Sequence, residues 1–205
     1  MAKITTVIPI QAYEAIRDRI ASILAVELAE QMALRSQTID IPVFTERYAK
    51  VDAVETPCII VSLARGDYQN QDPTVAQGDY VFNIDAYASA KNTLDSSGQL
   101  TARGDTASVK FLEGLLGICR AIMQDANYYR LDFPPAFIAR RQIQSIETAT
   151  PNTAQDVNDV VMGRLQLLVI AAEQNGMQYA DLVGAWHTVV NIDETNVGYV
   201  FTASS

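Results

Sequence analysis

Between Ile10 and Met32 the apolar positions recur every three or four residues. Ile16, Ile20, Ile23, Leu24, Leu28 and Met32 form the stripe, and Glu14, Arg17, Asp18, Glu27 and Glu30 fall between them. That period predicts one amphipathic helix of about six turns, buried on one side. Pro9 suits its first turn, where a missing N–H costs nothing. The helix is expected to stop before Pro42, which pushes Ile41 toward extended backbone.

The pattern then changes to a period of two. Val43 to Tyr48 alternates weakly and reads as an edge strand, and Pro57 opens a stronger run from Cys58 to Leu63. Arg65 to Gln77 is mostly polar, with Gly66 and Pro73, and reads as a loop or hairpin tip. Gly78 to Ala88 is the best strand pattern in the chain. It puts Tyr80, Phe82, Ile84, Ala86 and Ala88 on a packed face and Val81, Asn83, Asp85 and Tyr87 on a partly wet one. Ser89 to Gly104 is a long polar connection. Its length and its Asn, Asp, Ser and Gly content predict a functional or mobile loop.

A second helical stripe follows, capped by Asp105 or Thr106: Val109, Leu112, Leu115, Leu116, Cys119, Ile122 and Met123. Gly114 and Gly117 weaken it by up to about 1 kcal/mol each, which suggests close approach of another element. Pro134-Pro135 stops the helix. Phe137 to Thr148 alternates again, with Ile138, Arg140, Gln142, Gln144 and Ile146 expected on one side. Val160 to Glu173 is a long apolar strand, expected to be central and covered on both faces, with Gly163 marking a bulge. The order of elements gives an α+β core over residues 1–175 and a C-terminal arm over 176–205.

Composition narrows what such a core does. The chain has 205 residues, 49% of them hydrophobic and 19% charged, the balance of an ordinary globular domain. No stretch approaches the roughly 18 to 20 apolar residues of a membrane span, and Met1 to Thr6 does not resemble a signal peptide. The expectation is a soluble cytoplasmic product. A net charge of -9 without a basic stripe argues against nucleic-acid binding by the free subunit. Cys58 and Cys119 stand in apolar runs and read as small buried hydrophobes, with a disulfide or reactive thiols as the alternatives.

Recognisable chemistry does not appear. The chain has no G-x-G-x-x-G, Walker lysine, H-E-x-x-H or G-x-S-x-G. His187 is the only histidine, too few for a Cys/His zinc site. Asp79 and Asp85 share a face but sit roughly 20 Å apart along a strand, too far for a carboxylate pair. Two Arg-Gly-Asp tripeptides, at 65–67 and 103–105, read as loop coincidences. No catalytic residue, cofactor or metal is expected.

The helix Ile10 to Ser36, the strand Tyr80 to Ala88 with its Phe82-Asn83-Ile84-Asp85-Ala86-Tyr87 centre, the helix Asp105 to Asp125 and the paired strands Phe137–Thr148 and Val160–Glu173 together resemble the tail terminator (tail completion) proteins of tailed bacteriophages and related head–tail neck proteins. The resemblance is one of element order over residues 1–175, not of invariant residues. It implies a mixed or mainly antiparallel sheet backed by two amphipathic helices. It implies a virion protein at the tail–neck junction, made in the host cytoplasm, that forms a homohexameric ring. The ring would meet a tail tube or sheath protein and a neck or connector protein. A closed ring needs two unlike patches. The candidates are the face of Val81, Asn83, Asp85 and Tyr87 and the aromatic arm with Trp186, Tyr199 and Phe201. Other neck, sheath-end or tube components, or a small α+β enzyme or ligand-binding protein, are the alternatives.

Overall fold

The structure, a computed structural model, describes residues 10–47, 51–68, 75–89, 93–94, 100–102, 104–149 and 160–174. The elements are α1 (Ala12–Leu34), β1 (Val43–Thr45), β2 (Cys58–Tyr68), β3 (Val75–Ser89), β4 (Thr93–Leu94), β5 (Leu100–Ala102), α2 (Gly104–Gln124), β6 (Ile138–Ala149) and β7 (Val160–Gln174). Five strands form one sheet in the order β1-β2-β3-β7-β6. Only β1 and β2 are parallel; every other neighbour in it is antiparallel. This is an α+β fold with a mixed sheet. No helix among the described residues is long and apolar enough to cross a membrane.

Local chemistry sets the ends of α1. The Glu14 side chain accepts the Gln11 backbone N–H at 2.9 Å, satisfying an otherwise orphaned group before the first turn. The helix thus begins at Ala12, later than Pro9. At the other end Ser36 takes a left-handed φ of 55°, and Gln37 N–H returns to Met32 O at 2.9 Å, closing the last turn well before Pro42.

Both helices cover one face of the sheet, α1 over β1 and β2, α2 over β7, β3 and β6. Every residue of the predicted α1 stripe is buried there, as are Tyr80, Phe82, Ile84, Ala86 and Ala88 of β3. On α2 the stripe holds except at Val109, which is exposed; Ser108 is buried in its place. The burial of these side chains is the main source of stability, at ~25 cal/mol per Å² of apolar area.

Several expectations fail for physical reasons. Of the stretch Arg65–Gln77, expected to be a loop or hairpin tip, residues 65–68 and 75–77 are strand: β2 continues to Tyr68, which pairs with Gly78 of β3, and residues 69–74 lie outside the described residues. Residues 64–68 are solvent-exposed, so that half of the hairpin needs no apolar alternation. The tripeptide Arg65-Gly66-Asp67 is therefore part of a strand. Strand β6 does not place Ile138, Arg140, Gln142, Gln144 and Ile146 on one side. Irregularities between Ile138 and Arg140 and between Ile143 and Ser145 turn Ile138, Ile143 and Ile146 toward the helix face. Within the connection after Ser89, β4 and β5 form a small antiparallel pair. The rest of that connection lies outside the described residues.

The glycines also exchange roles. Gly163 is not at a bulge, because β7 pairs with β3 and with β6 in unbroken register around it. A side chain there would put Cβ 2.5 Å from Leu116 Cδ1, so Gly163 is where α2 comes down onto the sheet. Gly114 and Gly117 have nothing within 4 Å of a built Cβ, so no close approach among the described residues explains them.

Candidate interface on the second face of the sheet

The sheet face away from the helices carries the four strand residues singled out from the sequence. The register sets Cys58 opposite Tyr87, Ile60 opposite Asp85, Asp85 opposite Arg164, Asn83 opposite Gln166, and Val81 opposite Leu168. These residues therefore form one surface. It is drier than alternation suggested: Val81 and Asp85 are buried, at 5% and 6% exposure, and Asn83 and Tyr87 are partly so.

Two coverings explain the dryness. At one edge the connection between β1 and β2 folds over the face. Val51 joins Cys58 and Ile60 in a small second core, with Phe44 and Tyr87 against it. Arg47 holds that connection closed through Glu55, donating to both carboxylate oxygens at 2.8 Å. The paired guanidinium and the Asp52 backbone N–H together hold the Glu55 carboxyl below its ordinary range, the backbone hydrogen bond being the larger cause.

Toward the middle of the face the polar groups cover one another. Arg164 grips Asp85 with two hydrogen bonds, Nε to Oδ1 at 2.7 Å and Nη2 to Oδ2 at 2.8 Å. This bidentate geometry is the strong form of an Arg–carboxylate contact, and it raises the Arg164 pKa further. One row on, Gln166 donates to Asn83 at 3.1 Å and accepts from Ser145 at 3.2 Å, so β6, β7 and β3 are linked by side chains. Burial, and then the Asp85 charge, push the Tyr87 phenol up. Beyond this polar band Met162, Leu168 and Ile170 are only half-buried. Strand β7 is thus central in the sheet, but it is fully covered on the helix face alone.

Arg164, Gln166 and Ser145 were missed as partners. The signal was available in part: Arg164 and Gln166 interrupt an apolar strand two positions apart, hence on one face. Which strand faced them is not encoded in local pattern. Trp186, His187, Tyr199 and Phe201, with the rest of the arm after Gln174, lie outside the described residues.

Both cysteines are fully buried and free. Burial raises both thiols, Cys119 to about 12. Thiolate is the reactive form. The native protein at pH 8 is therefore expected to resist iodoacetamide over hours and to show two thiols only on unfolding. Rapid alkylation of either would restore a cysteine nucleophile to consideration.

A concavity of about 500 Å³ runs between α1 and α2 and is bordered by Glu27, Gln31, Arg35, Gly117, Ile118 and Tyr128. The Tyr128 hydroxyl donates to Glu27. That bond, ahead of desolvation, pushes the phenol up to about 12. With its hydroxyl engaged and its proton held, Tyr128 is poorly suited to act as a base there.

No protein-family model matches the chain, and no curated protein matches it.

Proposed function

We propose that the chain is a structural ring subunit at a phage tail–neck junction: a tail terminator that ends tube growth and joins the tail to the neck. The half-open second face of the sheet carries the reading. Its polar side chains are already bonded to one another, so a partner there need not satisfy buried charges. Half-buried Met162 on one side of that polar band, and Leu168 and Ile170 on the other, offer the apolar surface a protein interface uses. The order of α1, β3, α2 and the β6–β7 pair, which resembles that expected of tail terminator proteins, supports the same reading. In this reading the subunit contacts its own copies in a hexamer, a tube or sheath protein on one side and a neck or connector protein on the other.

A ligand-binding or enzymatic α+β protein is the competing reading, favoured by the concavity between α1 and α2. A different neck, sheath-end or tube component stays within the first reading's class. The test is cryo-EM of the neck in particles carrying the intact chain or a chain lacking residues 177–205. The intact chain should occupy a closed ring. The shortened chain should keep its folded α+β body, read by circular dichroism and a cooperative melt, while ring occupancy falls. Absence of the intact chain from the neck overturns the proposal.

A further inference from the structure

Strand β6 is the last strand of the sheet. Among the described residues it pairs with β7 alone, over its whole length from Ile138 to Ala149. A strand in that position offers a row of N–H and C=O groups to any further strand. The first part of β6 is guarded. Arg141 reaches from it to the backbone carbonyls of Tyr128 at 2.6 Å and Asp125 at 2.9 Å, and the two irregularities break the regular edge. After the second irregularity Ser145 to Ala149 runs in unbroken register, with an exposed β-branched Ile146, at 42% exposure, and exposed Thr148. This five-residue edge carries a single charge, the exposed Glu147, and holds no Lys, Pro or bulge within it.

The sequence itself supplies a segment of matching length and strand-favouring composition. Thr188-Val189-Val190-Asn191-Ile192 is uncharged and β-branched at four of five positions, a composition that favours strands. Strand β7 ends at Gln174 beside the start of β6, where Ala172 N–H bonds Phe137 O at 2.9 Å. The thirteen residues before Thr188 span up to ~40 Å when extended. A tether of that length suffices for residues 188–192 to meet a sheet edge of a neighbouring copy as well as their own.

We infer that residues 188–192 of a neighbouring copy add a sixth strand to the Ser145–Ala149 edge, so that each subunit is stitched to the next by main-chain hydrogen bonds. This deepens the ring reading and rests on it for the choice of a neighbour as donor. Strand addition draws its affinity from backbone pairing and its register from alternate side chains. It also makes the contact heterologous, an arm on one side and an edge on the other, as cyclic closure requires.

The test uses the full-length assembled protein. Hydrogen exchange is followed in a peptide covering residues 144–149, in wild type and in Val190→Pro, which removes one N–H from the proposed strand. Exchange should be about tenfold faster in the variant, with β7 unchanged. Equal exchange overturns the inference whether or not a ring forms on tails. Donor identity is read by pairing Thr148→Cys with Thr188→Cys in a mixture of 14N and 15N chains, since the buried Cys58 and Cys119 do not compete. Mixed-isotope cross-links support donation by a neighbour; links within one isotope alone overturn it. Protection of β6 that depends on Val190 in a protein absent from any neck would keep the inference and remove only the tail function.

Discussion

Gly163→Val is expected to destabilise the protein by about 3 kcal/mol, the upper end for overpacking a well-filled core. Even the first carbon of a side chain at 163 would lie 2.5 Å from Leu116 Cδ1, 3.3 Å from Leu112 Cδ2 and 3.4 Å from the Glu147 carbonyl oxygen. Leu112 and Leu116 are fully buried under α2, so neither has free space to retreat into. The helix must lift from the sheet, which separates apolar surfaces along much of α2. For a chain of this size the loss corresponds to a fall in Tm of roughly 6–12 °C. Gly163→Ala should show the same clash in milder form, and Leu116→Ala should relieve part of it. The check is a double-mutant cycle by urea unfolding: a Gly163→Ala/Leu116→Ala coupling near zero would mean that the two positions do not compete for one space.

Asp85→Ala comes next, at about 2–3 kcal/mol. Removing one member of a buried pair leaves an uncompensated charge, which costs ~3–5 kcal/mol when both members are enclosed. Arg164 keeps 34% of its side chain in water, so the penalty is reduced. The pair itself is not expected to be a large net stabiliser. Asp85→Leu combined with Arg164→Met should therefore be more stable than Asp85→Ala alone, because nothing charged is then stranded. Thermal melts of the three proteins decide it. A double variant as unstable as Asp85→Ala would show that the packing around these residues, not the stranded guanidinium, sets the loss.

The parts of the fold legible in the sequence are those whose periodicity is enforced by one dry side. Strand β3 shows this best: Tyr80, Phe82, Ile84, Ala86 and Ala88 alternate because the helices cover one face along their whole span. The outer half of β2 was illegible because it projects past that cover, and exposed residues obey no pattern. In β6 the alternation is real but interrupted twice, and each interruption turns every later residue over. Half of the candidate interface, Val81, Asn83, Asp85 and Tyr87, followed from alternation in one strand. The other half, Arg164, Gln166 and Ser145, depends on which strands meet, and pairing between distant segments leaves no local trace. Gly163 was visible as an anomaly, yet a bulge and a close helix contact write the same residue into a strand.

The connectivity of the sheet has a consequence for how the protein is made. Strand β3 is completed by β7, and the contacts that join them link residues as far apart as Val75 and Gln174; the Asn83–Gln166 hydrogen bond alone spans 83 positions along the chain. Because β7 sits between β3 and β6, neither strand can complete its ladder until β7 has left the ribosome. At a synthesis rate of ~5–20 residues per second, the β3 edge therefore waits several seconds, backed by one finished hairpin. Closing so many distant pairs at once also places the domain among slow folders. During that interval the nascent chain displays an apolar strand edge to every other copy being translated on the same message.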